Sequence, residues 1–222
     1  MAAEAARSTR DTLDLFDWRR RVSDLYAEIR AADDPRAAWN RWRRARHDLL
    51  TAHPQSPVPA TRRATFAGPS YFDYDPEARV LAEVGEAEGE HFDVAGSAGE
   101  TFGLTRFASA RFALAGRDLT LGLYWMDGYA GGLFLSFRDA TSGKETYGAG
   151  RYLFDTAKGA DLGGEGGRLV LDFNFAYNPS CSYDPRWACP LAPPENRLPV
   201  AVRAGERTPP TEEDPPPSGE PS

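Results

Sequence analysis

The chain has 222 residues, 41% hydrophobic and 27% charged, enough apolar content to fold as one generous domain or two small ones. Its 26 basic and 33 acidic residues leave a net charge of −7, which argues against a general nucleic-acid binder. No run approaches the roughly 18 unbroken apolar residues of a membrane span.

From Asp11 to Ala32, apolar residues recur every three or four positions: Leu15, Trp18, Val22, Leu25 and Ile29. That spacing predicts an amphipathic helix, with Ser8 or Thr9 and nearby Asp11 at its start. Asp34-Pro35 opens a second helix, because proline at the first position loses no hydrogen bond there. Trp39, Trp42, Ala45 and Leu49 are expected on its buried side, and Arg41, Arg43, Arg44 and Arg46 in water. His53-Pro54 ends it.

Beyond Thr61 the apolar period changes to two. Leu104, Arg106, Ala108, Ala110, Phe112 and Leu114 are expected on one strand face. Ala115–Asp118 is a turn, and Leu119–Met126 returns. Leu133–Arg138 is apolar on nearly both faces, as in a central strand. Tyr152–Asp155, Leu169–Phe175 and a late Leu198–Arg203 complete the set. The connections are too short for crossover helices, so the strands are antiparallel. The 21 glycines and 18 prolines fit many turns. The fold expected is mainly β (α+β): an antiparallel β-sandwich or partly closed barrel carrying two N-terminal helices. Residues 1–60 are read as the helical pair and 61–207 as the β domain with a Pro-rich lid. Residues 208–222 are read as a disordered acidic tail, since the last nineteen residues carry net −4 and six prolines.

The unusual residues lie between Tyr147 and Leu198. Strand alternation places Arg151 and Asp155 on one face of their strand, and Asp172 and Asn174 on one face of theirs. If those faces look into the same interior, the four converge. Arg151 then offers a planar fork of donors to a carboxylate or phosphate. Asp172 or Glu195 is the candidate general base, with Tyr147, Asn174, Asn178 and Asn196 as further ligand contacts. The competing reading is an ion-pair network that fixes the Asn178–Glu195 loop over the sheet.

The function expected is binding of a small polar or anionic molecule near Arg151 and Asp172. The alternatives are a hydrolase or isomerase using Asp172 or Glu195, and a structural or interaction domain. No metal site is expected, because His47, His53 and His91 lack ligand spacing, and no cofactor fingerprint is present. A nucleic-acid or membrane partner is not expected. The opening residues lack a basic region followed by an apolar one, which points to the cytoplasm. Cys181 and Cys189 are read as a structural disulfide, as inert buried thiols, or as a metal or redox pair.

Five strings resemble a known family: His53–Pro57 (HPQSP), Tyr71-Phe72, Glu145–Tyr152 (ETYGAGRY), Asp172–Cys181 (DFNFAYNPSC) and Cys189–Leu198 (CPLAPPENRL). They are similar to the bacterial family called domain of unknown function 1684, over about Trp39 to Gly205. Ala149 stands where that pattern has a third glycine. The resemblance implies the placement of a site in these strings and no particular chemistry.

Overall fold

A computed structural model describes residues 8–128 and 131–210. Ser8 caps helix α1 (Thr9–Arg30) through a capping box with Asp11, in which each side chain bonds the other residue's backbone N–H. Asp34 caps α2 (Pro35–Ala52) by accepting from the amides of Arg36 and Ala37. A single turn, α3 (Ala60–Arg63), follows.

Seven strands form one antiparallel sheet in the order β5-β4-β3-β2-β1-β7-β6. They are β1 (Arg79–Ala95), β2 (Thr101–Leu114), β3 (Arg117–Met126), β4 (Leu133–Phe137), β5 (Arg151–Asp155), β6 (Gly164–Glu165) and β7 (Arg168–Asp172). The long β1 has two partners: Arg79–Ala82 pair with β7, and Glu83–Ala95 pair with β2. Ala115 and Gly116, both at positive φ, make the two-residue turn between β2 and β3. The sheet is not closed into a barrel. Tyr152 of β5 and Tyr177 do exchange backbone hydrogen bonds of 2.8 and 3.0 Å, which brings the segment after β7 to the β5 edge.

Two bulges change which side chains share a face. Arg106 opposes Tyr124 and Ala108 opposes Leu123, so Phe107 is an extra residue in β2. Leu104 and Arg106 therefore lie opposite Ala108, Ala110, Phe112 and Leu114, and the predicted single face is split. In β5 the extra residue is Leu153, between Tyr152 opposite Ser136 and Phe154 opposite Leu135. The main core packs Leu25, Tyr26, Ile29, Trp39 and Trp42 of the helices against Ala110, Leu121, Phe137 and Phe173. A second cluster, Leu104, Tyr124, Phe134 and Tyr152, lies on the other side of the sheet.

The late strand predicted over Leu198–Arg203 is an irregular strap. It follows the end of β4 through Arg138 N–H to Asn196 O, Leu198 N–H to Arg138 O, and Ala140 N–H to Val200 O. Pro193, Pro194 and Pro199 lack the donors a continuous ladder needs. Likewise β7 stops at Asp172, and Phe173–Phe175 form a 3-10 turn. At the end of the described residues, Thr208 N–H bonds Glu145 O, and Pro210 O accepts from Arg62. Residues 211–222 lie outside the described residues.

Candidate functional site

Arg151, Asp155, Asp172 and Asn174 do not form one constellation: Asp172 and Asn174 bond each other, whereas Arg151 pairs with Asp139 and Asp155 with Lys158. The Arg151 guanidinium is buried against Asp139 at 2.8 Å, with both side chains inaccessible. It also donates to the carbonyls of Val202 (2.9 Å), Ala204 and Glu206 (3.1 Å). A buried cation has to be paired and hydrogen-bonded, and this one spends its donors on the strap. Gly205 suits that close packing, with φ +78° and no side chain; a Cβ there would lie 2.5 Å from Ala176 O.

Asp172 Oδ1 accepts from both the amide (3.0 Å) and the side-chain Nδ2 (2.8 Å) of Asn174, which caps the 3-10 turn. Asn174 in turn bonds the amide and carbonyl of Asp75 at 2.9 and 2.7 Å, and its own carbonyl accepts from the Trp39 indole at 3.0 Å. Asn196 plays a different part. Its side chain accepts from Gly122 N–H at 2.7 Å and donates to Gly122 O and Ser136 O at 3.0 and 2.9 Å. It thus replaces the missing rungs where β3 and β4 splay. Glu195 accepts from the Tyr124 hydroxyl, and Tyr147 donates to Cys181 Sγ at 3.8 Å.

The helix face predicted to be wet is also corrected. Arg41 and Arg44 are exposed, but Arg43 stacks on the rings of Trp39 and Tyr71 at 4.6 and 4.7 Å. Arg46 turns inward to the fully buried Glu206, which Tyr183 and the amide of Asn178 also contact.

Two of the concavities are lined by residues of the β domain. The first is a small cavity of about 80 Å³ between α1, α2, β5 and the Tyr177–Ser180 segment. Its walls are mainly apolar, with Trp18 and Trp42 among them, and Arg46, Lys158, Tyr26 and Asn178 add polar groups. Asn178 Nδ2 donates to Arg207 O at 2.7 Å, but its buried Oδ1 has no hydrogen-bond partner. Tyr26 Oη makes no well-formed hydrogen bond, with the Trp42 indole beside it; burial raises the pKa of this phenol and keeps it neutral. Asp155 binds Lys158 at 2.6 Å through Oδ2 and leaves a buried Oδ1 unpartnered.

The second concavity is an open cleft of about 340 Å³ between the helices and β6–β7. Asp172, Arg79, Arg30 and Glu165 line it, whereas Glu195 does not. Burial raises the pKa of Asp172 above 3.8, against the lowering by its bonds from Asn174. Among the described residues no three His, Cys, Asp or Glu are grouped to hold a metal ion. None of the described helices is long and apolar enough to cross a membrane.

A family model described as "Protein of unknown function (DUF1684)" matches residues 64–207. The chain belongs to the DUF1684 family. Among solved structures it is similar to the solution structure of an uncharacterized protein from Haloarcula marismortui, at 36% identity and a TM-score of 0.58. That match covers 81% of this chain and 97% of the other, so it extends beyond the residues matched by the DUF1684 model. No curated protein matches. Within the DUF1684 match lie Lys158, Tyr177 and Asn178, on the sheet side of the smaller cavity. Trp18, Tyr26, Trp42 and Arg46, on its helical side, precede the match.

Tyr26, Arg46, Asp139, Lys158 and Glu206 escaped the sequence reading. A signal existed for Arg46: it falls four residues after Trp42 and three before Leu49, on the apolar stripe itself.

Proposed function

We propose that this DUF1684 protein is a binding module for a small polar molecule held in the small cavity between the helix pair and β5. The observation that carries the reading is Asn178, a residue lining that cavity whose buried side-chain oxygen has no hydrogen-bond partner. A buried carbonyl oxygen without a donor costs about 1–3 kcal/mol, and a ligand or ordered water recovers it. The site moves away from Arg151, whose donors are committed.

The cavity favours a hydrogen-bond donor over an anion. Arg46 and Lys158 already face Glu206 and Asp155, while the side-chain oxygen left over at Asn178 only accepts. Short-chain alcohols and amines have that chemistry, with an apolar body for the tryptophan walls. A half-closed barrel fits the same reading, since the Tyr152–Tyr177 bridge draws the sheet around the cavity floor.

The test is a thermal-shift comparison of short alcohols and amines with carboxylates of matched size, on wild type and Tyr26→Phe. Stabilisation by the donor series, reduced in Tyr26→Phe, supports the reading. Stabilisation by carboxylates alone, or by nothing, overturns it.

A second reading keeps Asp172 as a general base, because a buried carboxyl with a raised pKa lines an open cleft beside Arg79. Asp172→Asn retains the Oδ1 that caps the turn, so loss of a discovered activity in a folded variant would favour this hydrolase or isomerase reading.

A further inference from the structure

Cys181 and Cys189 come from separately anchored segments. Cys181 sits in the 3-10 turn Ser180–Ser182 that follows Asn178. Cys189 is fastened to the turn after β1: its amide donates to Ser97 Oγ at 3.1 Å, and its carbonyl accepts from Ser97 N–H at 3.1 Å. Both cysteines are free and buried, 8% and 6% exposed. Their meeting is fixed by a 3.4 Å contact from the Cys181 amide to Cys189 Sγ. On the other side, the Tyr147 hydroxyl donates to Cys181 Sγ.

We propose that Cys181 and Cys189 are a reversible dithiol that hydrogen peroxide oxidises to an intramolecular disulfide, with Cys181 as the attacking sulfur. Inert core thiols sit in apolar surroundings that favour the neutral form of both. Here the donors converge on one of them. The hydrogen bond from Cys189, with the one from Tyr147, brings the Cys181 thiol down from 9.0 to about 6, whereas Cys189 is pushed up. One sulfur is thus prepared as nucleophile and the other holds its proton in reserve.

Peroxide is small and neutral enough for a site with this little exposure. The Cys181 thiolate attacks one peroxide oxygen, the O–O bond breaks, and the departing hydroxide takes a proton from solvent to leave as water. The resulting sulfenic acid is attacked by the Cys189 sulfur. The S–S bond forms, the S–O bond breaks, and the hydroxide leaves as water with the proton from the Cys189 thiol. In sum, one peroxide is reduced to two waters and two thiols are oxidised to one disulfide. The bridge closes a nine-residue ring and ties the Tyr183–Trp187 loop back to both anchors.

The experiment uses the full chain, purified under reductant and treated with peroxide. The expected result is loss of both titratable thiols together, a fall in intact mass by two hydrogens, and recovery by dithiothreitol without denaturant. Cys189→Ser should stop at a Cys181 sulfenic acid that a dicarbonyl reagent traps, and Cys181→Ser should react roughly tenfold more slowly or less. Wild type that gains oxygen without losing two hydrogens overturns the proposal. So does Cys181→Ser that is consumed as fast as wild type, or a bridge that reductant opens only after unfolding, which would mark a structural staple.

Discussion

Arg46 on α2 and Glu206 in the C-terminal strap form a buried ion pair between residues 160 positions apart, with the Glu206 side chain wholly inaccessible. The carboxylate also accepts from Asn178 N–H at 2.7 Å, so one residue holds the helix pair, the cavity wall and the strap in register. Removing one member leaves the other charged and buried. Arg46→Met should therefore cost about 3–5 kcal/mol in urea denaturation. The double variant Arg46→Met/Glu206→Gln should recover part of that loss. Strictly additive losses would show that the charges do not sense each other.

Asn196 stands in for strand pairing between Gly122 and Ser136. Asn196→Leu has nearly the same volume but leaves one amide and two carbonyls without their partner. At about 1–3 kcal/mol for each orphaned buried group, the variant should lose on the order of 3 kcal/mol or more. A chemical-denaturation midpoint close to wild type would refute the rung-like role.

The raised pKa of Asp172 has a definite sign in stability. The unfolded carboxyl loses its proton near 3.8, while the folded one holds it to higher pH. Between those two values the native state binds more protons, so stability falls as pH rises through that window and stays reduced above it. Asp172→Asn should lose this dependence and be at least as stable as wild type at neutral pH. Unfolding free energies across a pH series decide the matter, and identical slopes for the two proteins count against it.

Cys181 has the opposite sign. Its folded pKa, about 6, lies below the ordinary 9.0, so its contribution is full above 9.0 and is lost as pH falls through about 6. Thiolate ultraviolet absorbance in the reduced protein should rise with a midpoint near 6. Cys189→Ala removes the largest cause of the lowering and should move that midpoint toward 9.0, with Tyr147 still present. A midpoint unchanged by this substitution would contradict the pairing.

The helices were legible because their caps are local: Ser8 with Asp11 and Asp34 with Pro35 each act within one turn. The antiparallel strands were legible through their period of two and their short turns. The bulges at Phe107 and Leu153 were not, since an extra residue leaves no mark in alternation until a partner strand is known. Missing the one in β5 made Arg151–Asp155 look like a simple two-faced strand, when all five residues are buried. Glu206 was counted with an acidic tail because composition cannot see a carboxylate that meets a helix 160 residues earlier. The long odd strings were informative about place: Asn174, Asn178 and Asn196 are all structural pivots. Of these, Asn178 alone keeps an unpartnered side-chain acceptor and lines the cavity between the helices and β5.

The strap over β5 also bears on synthesis. Arg46 waits for Glu206 and Arg151 for the carbonyls of residues 202–206, so a nascent chain that has exposed only its helices and sheet carries Arg46 without its counter-ion and Arg151 with Asp139 alone. Helix docking is therefore coupled to the arrival of the final segment, so burial finishes after translation has passed Glu206 and not progressively from the N-terminus.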